Sequence, residues 1–289
     1  MGNPHDLSTT IVEGTYNGLI ENSLYKKILF SGSLNPGMSG GPAFDHNGCV
    51  IGINVSTAGN QISFLVPVEN LRELYEGIIK RGSLVITDWD IHIEAQLVEN
   101  QGYQLDELLK LEWKKSSIGE TFVPGEISKS YKCWADSKDY EKKLYKSSWL
   151  QCSCEDVLYL DADFTTGKIN YNYIWMEIAK LNPARFYNSY ENFFSSTLQD
   201  NAGELDVTNF KCSSGFILAG GGDWKASLCS RQYKRFPSLF DVNLSLASVD
   251  KSKHGLAVHL EVLGVTKDKA IEFINKFLHH IQWQKQSSK

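Results

Sequence analysis

The chain has 289 residues, 42% hydrophobic and 22% charged, the proportions of a globular protein with room for two domains. A net charge of -5 supplies no basic field for nucleic acid. Apolar runs such as FILAG and CVIGI fall far short of the ~20 residues a membrane helix requires, and residues 1–20 hold no basic segment followed by an apolar core, so neither a span nor a secretory signal is read.

From the N-terminus, TTIVEGTY, KKILFSGS, GCVIGINVS and QISFLVP read as short strands, rich in β-branched and aromatic residues. Asn17-Gly18, Asn47-Gly48 and Gly59-Asn60 mark the turns between them. After Pro67 the period changes. Leu71, Leu74, Tyr75, Ile78 and Ile79 form one face of a helix that Gly82 ends, so a first domain is expected over residues 1–82. Residues 83–100 read as one more strand, 103–115 as strand or helix, and 116–150 carry no clean period. The rest reads as an antiparallel meander. LYLDADFTTGKINYNYIWM suggests a hairpin turning at Thr166-Gly167, and NFKCSSGFIL and KASLCSRQY flank the turn AGGGDW. DVNLSLASVD and GLAVHLEVLG alternate apolar and polar positions, with His259 on the wetter face. Thr266 is the expected N-cap of a final helix whose stripe is Ile271, Ile274, Phe277, Leu278 and Ile281.

The stretch LNPGMSGGPAFD, Leu34 to Asp45, carries chemistry. A serine hydroxyl attacks a carbonyl only if a base takes its proton and donors hold the oxyanion that forms. Gly37 lets the backbone turn so that its own N–H and that of Ser39 face one concavity, while Gly40 and Gly41 clear room for the next strand.

PGMSGGPAFDHNGCVIGINVS followed by NQISFLVPVENL resembles the nucleophile region of trypsin-like, chymotrypsin-fold serine endopeptidases, closest to the bacterial HtrA-like branch. GNPHDLSTTIVEG is similar to the approach to that family's second barrel, so the resemblance covers residues 2 to about 80. It implies Ser39 as nucleophile and the Gly37 and Ser39 amides as oxyanion hole. Ser33 would floor the primary specificity pocket, favouring small or apolar side chains, and Asn35 joins the substrate-binding residues. Asn54, Val55, Ser56 and Thr57 would pair with substrate backbone by β-addition. Met38 departs from the polar residue common at its position.

The family's base and orienting acid lie on the first barrel, upstream of everything present. His5, Asp6 and His46 match neither context and read as loop residues. The chain is therefore expected to be the nucleophile-bearing fragment of a serine endopeptidase, acting on polypeptide and completed by a first-barrel segment in cis. Periplasmic or secreted location follows if that segment brings a signal peptide. No metal or organic cofactor is expected. The rival expectation is a non-catalytic peptide-binding or scaffolding protein with a degenerate protease fold.

The fold expected is mostly β: a second β-barrel ending in a helix, then a β-rich α+β domain over 83–289 with a meander and a C-terminal helix. GIIKRGSLVI resembles the linker to a PDZ domain, but no carboxylate-binding loop follows. Five of six cysteines fall after residue 130, which points to disulfides. Cys212 and Cys229 lie equally far from the turn at Gly220-Gly221 and are expected to bridge, the alternative being two buried thiols. Cys133, Cys152 and Cys154 lack a fourth zinc ligand, so Cys133 paired with one of the others is preferred, leaving Cys49 unpaired. Asp161 and Asp163 read as a capped turn rather than a calcium loop, and Tyr171, Tyr173 and Trp175 as a core face.

Overall fold

The computed structural model describes residues 1–82, 86–138, 145–178, 190–191, 194, 201–249 and 253–284. It is mostly β, with antiparallel sheets and three α-helices among those residues. The chain forms two units, Met1–Thr87 and Asp88–Lys289.

In the first unit, β1 (Thr15–Leu19), β2 (Ile28–Ser31), β3 (Pro42–Phe44), β4 (Val50–Thr57) and β5 (Ser63–Pro67) form one antiparallel sheet in the order β1-β2-β5-β4-β3. Ile28, Leu34, Met38 and Leu65 form its core, with Val12, Phe30 and Ala43 against them. The sheet is not a closed barrel: β1 and β3 are its two edges. The first strand also starts later than its composition predicts. Residues 9–12 are β-branched, yet apart from the Gly2–Thr10 bridge residues 9–14 pair with no strand among the described residues.

Helix α1 (Val68–Arg81) ends at Gly82, whose φ of 64° suits glycine. Its apolar stripe does not face a core. Leu71, Leu74, Tyr75, Ile78 and Ile79 are all exposed, and no residue of the helix is buried.

The second unit opens with a helix where the sequence predicts a strand. Trp89–Lys110 is α2, with residues 83–85 of that expected strand outside the described residues. The alternation Trp89, Ile91, Ile93 imitates a strand for five residues. Asp88 decides otherwise: its carboxylate accepts from the N–H groups of Asp90 and Ile91, a helix N-cap. Seven antiparallel strands follow in the order β13-β14-β15-β16-β12-β9-β8. They are β8 (Lys132–Lys138), β9 (Tyr145–Ser153), β12 (Ile169–Ile178), β13 (Lys211–Ala219), β14 (Gly222–Gln232), β15 (Phe240–Ser248) and β16 (His254–Val265). A smaller sheet holds β6 (Lys115–Ile118), β7 (Thr121–Pro124) and β17 (Gln282–Trp283).

The hairpin between β10 (Leu158–Asp161) and β11 (Phe164–Thr166) turns at residues 162–163, not at Thr166-Gly167. The Asp161 carboxylate accepts from the Ala162 N–H there, which fixes the turn earlier. Gly167, with φ 74°, instead redirects the chain into β12, which pairs with β9 and β16.

Tyr171 and Tyr173 are core residues. Their rings meet Phe277 of helix α3 (Lys267–His279), and the Tyr173 hydroxyl donates to the Pro124 carbonyl at 2.9 Å. Thr266 occupies the N-cap of α3 but makes no side-chain cap bond. Cys212 pairs with Cys229 and Cys133 with Cys152, each pair directly opposed in register, while Cys49 and Cys154 stay reduced.

Candidate functional site

Two tight turns in succession build the loop around Ser39. The Met38 N–H donates to the Asn35 carbonyl at 3.0 Å, closing a turn with Pro36 and Gly37 at its centre. Pro36 presets its φ, and Gly37, at φ 92°, supplies the positive angle that such a turn requires at its third position. A side chain at Gly37 would also meet the Asn3 carbonyl, 2.2 Å from the position of its Cβ. The Gly41 N–H then donates to the Met38 carbonyl at 3.2 Å, closing a second turn around Ser39 and Gly40, with Gly40 at φ 79°.

Met38 joins the two turns and pins them. Its side chain is fully buried among Ile28, Leu34 and Leu65, so an apolar residue belongs at this position. With Met38 turned inward, its neighbours Gly37 and Ser39 are exposed. Their N–H groups donate to no acceptor among the described residues.

The Ser39 hydroxyl donates to the Val55 carbonyl at 3.4 Å and has no histidine partner among the described residues. His5 sits in the single 3-10 turn Pro4–Asp6, its N–H bonded to the Pro36 carbonyl. His46 is exposed in the turn after β3.

The four residues expected along the substrate edge divide. Asn54 is buried. Its Nδ2 donates to the Met38 carbonyl at 3.0 Å and the Met1 carbonyl at 3.2 Å, while its backbone pairs with Gly40 and Gly41. It buttresses the loop, and its backbone N–H and carbonyl are both engaged by Gly41 and Gly40. Sequence reading missed this role; an asparagine beside the glycine-rich loop, able to donate twice, is the signal that was available. Val55, Ser56 and Thr57 are exposed; Ser56 and Thr57 pair with β5, and β3 has ended before it reaches them. Ser33 and Asn35 are exposed on the approach to the loop.

Residues of β1 and β3, together with Leu34, Met38 and Asn54, line an apolar groove of about 540 Å³. Ile11, Val12 and Tyr16 line it together with Pro42, Ala43 and Phe44. Met1 lies at one end. Its ammonium donates to the Pro42 carbonyl at 3.1 Å, and Gly2 exchanges two backbone bonds with Thr10.

No family model matches the chain. Over about 30% of its length it is similar to DegP-like serine endoproteases. A probable periplasmic DegP-like endoprotease of Bartonella henselae is 32% identical over 98 residues, 31% of this chain and 19% of that protein. Its counterpart in Brucella suis is 34% identical over 93 residues, 29% and 18% of the two chains. The chloroplastic protease Do-like 1 of Arabidopsis thaliana is 29% identical over 97 residues, 29% and 22%. The chain thus spans about a fifth of the length of these relatives. Among solved structures, LpqN of Mycobacterium tuberculosis aligns with 62% of this chain and 96% of its own at 13% identity and a TM-score of 0.27. The immunity protein TplEi of Pseudomonas aeruginosa aligns with 96% and 80% at 9% identity and 0.28. Scores that low carry no argument about fold.

Proposed function

We propose that residues 1–82 are the nucleophile-bearing half of a trypsin-like serine endopeptidase, completed by a segment that supplies the histidine and aspartate. The observation that carries this reading is the exposed loop Gly37-Met38-Ser39, with a hydroxyl flanked by two amides that no acceptor among the described residues uses. In the complete enzyme the base takes the Ser39 proton as Oγ attacks a peptide carbonyl. The oxyanion rests on the Gly37 and Ser39 N–H groups, the amine leaves with a proton from the base, and water releases the acyl group. Val55 to Thr57 would hold the substrate as an added strand, with Ser33 and Asn35 beside its side chain.

Two further features support incompleteness of the folded unit. The α1 stripe lies uncovered, and a groove lined by residues of both β1 and β3 lies open. Gly2 pairs antiparallel with Thr10 while Met1 touches Pro42, so a strand running into Met1 would lie antiparallel to both edges and close the sheet into the barrel.

A second reading, non-catalytic peptide binding at the same edge, is favoured by the bond from Ser39 Oγ to the Val55 carbonyl in place of a base. Fluorophosphonate labelling separates the two. The protease reading expects a label on Ser39 in the complete protein that disappears in Ser39→Ala; a peptide-binding module takes no label with either residue.

A further inference from the structure

The two edges of the seven-stranded sheet are built differently. An open edge offers unpaired N–H and C=O groups to any strand that meets it, and charged side chains, proline or a bulge are the usual defences. The edge strand β8 carries Lys132, Asp136 and Lys138 within seven residues. The edge strand β13 has Lys211 at its start, no other charge and no proline, and it pairs with β14 at every position from Lys211 to Ala219 without a bulge. Phe216 and Leu218 project from it 76% and 78% exposed.

The turn fixes which backbone groups of β13 are free. Gly220 and Gly221, both at positive φ, make a two-residue turn closed by Ala219 and Gly222, so the N–H and C=O of Ala219 face β14. Alternation then turns Ser213, Gly215 and Ile217 toward β14 and points the N–H and C=O of Cys212, Ser214, Phe216 and Leu218 outward. The Cα separation of 4.0 Å between Cys212 and Cys229 agrees, since pairs without mutual hydrogen bonds are the closer kind. The outward groups of these four residues meet no partner among the described residues.

Gly215 is the midpoint of the strand, and nothing within the chain requires a glycine there. Its φ is not positive, and a Cβ added to it would meet no atom within 4 Å. Glycine weakens a strand interior, and close approach of another backbone is one reason for its presence. The strand is also graded in size about this point: Cys212, Ser213 and Ser214 are small, Phe216, Ile217 and Leu218 large.

We infer that β13 is the contact between two copies of this chain, paired antiparallel about a two-fold axis at Gly215. That axis sets each half of the strand against the other half in the second copy. Phe216 stands opposite the second copy's Ser214, Ile217 opposite its Ser213 and Leu218 opposite its Cys212, large against small throughout. Cys212, Ser214, Phe216 and Leu218 pair only with one another, so their outward N–H and C=O groups are satisfied in both copies. Gly215 meets its own counterpart in a pair without mutual hydrogen bonds, ~4.5 Å between Cα atoms, where side chains would be nearest. A foreign strand would have to match this gradient; a second copy carries it necessarily. The contact lies in the second unit and is independent of the reading of Ser39.

The test is self-association of the full chain. Sedimentation equilibrium from about 1 µM to about 500 µM, a range suited to a small interface, should show the mass rise from monomer to dimer. Over the same range hydrogen exchange should slow at the amides of Cys212, Ser214, Phe216 and Leu218 and not at those of Ser213 and Ile217, which β14 already protects. Phe216→Glu changes an exposed side chain opposite Lys225 and should weaken association at least roughly tenfold, with an unchanged melting temperature in dilute solution. The exchange pattern of the native chain decides independently of that variant. A monomer at every concentration, a dimer that leaves those four amides unprotected, or equal association of a folded Phe216→Glu overturns the contact.

Discussion

The Ser39 hydroxyl donates to the Val55 carbonyl, 3.4 Å away, across the edge proposed to receive substrate. A substrate strand would compete for that carbonyl, and a base would compete for that proton. The contact is long for a hydroxyl donor, so either competitor gains more than it displaces. The amides on both sides of Met38 meet no acceptor among the described residues, whichever way the hydroxyl turns.

Met38 is the anchor of that loop. Met38→Ala should cost about 2–5 kcal/mol, as truncation of a buried methionine does, whereas Met38→Leu should cost under about 1.5 kcal/mol. Urea denaturation of the two variants checks the difference.

The groove between β1 and β3 yields a second expectation. Adding a five-residue strand such as Val-Thr-Val-Ile-Ala before Met1 should stabilise the first unit by more than about 1 kcal/mol, since each new ladder bond contributes roughly 0.5–1.5 kcal/mol. Replacing the central residue of that addition by proline should abolish most of the gain. Hydrogen exchange at β1 and β3 should slow in the first variant and not in the second.

In the second unit, Asp241 is fully buried and accepts from Arg231 Nε, the Tyr233 hydroxyl and the Gly264 N–H. Asp241→Asn should cost about 3–5 kcal/mol, because it leaves the Arg231 charge buried without its counterion. Arg231→Met combined with Asp241→Leu should recover much of that loss. Thermal unfolding of the three chains measures it.

Burial raises the Glu261 carboxyl above its ordinary 4.5, and the bond from Asn170 only partly opposes this. The fold therefore holds the proton more tightly than the unfolded chain does. Stability contributed by this group is present below pH 4.5, is lost as pH rises through the folded value, and stays lost above it. Glu261→Gln removes that loss. The melting temperature of the variant minus that of the native chain should rise with pH across this window, and a flat difference would contradict it.

Several of these features were legible in the sequence because the constraint was local. Pro36-Gly37 and Ser39-Gly40 dictate two turns, Pro67 and Gly82 bracket α1, and equal spacing from Gly220-Gly221 opposes Cys212 and Cys229. What depended on neighbours was not legible. Residues 9–14 have strand composition without a strand to pair with, and Asn54 has an edge position but a buried side chain. In α2, Asp88 and the buried Leu105 and Leu108 outweigh a short alternation. Asn243, His259 and Glu261 hold the positions of a wet face in the alternation, yet the pairing of distant strands leaves them buried.

The most direct measurement is fluorophosphonate labelling of the protein carrying these residues, purified from the cells that make it, with the modified peptide identified by mass spectrometry. Serine endopeptidase function predicts a single label on Ser39 that vanishes in Ser39→Ala. An unlabelled Ser39 in the folded, complete protein would contradict it and leave peptide binding at Val55 to Thr57 as the function of this loop.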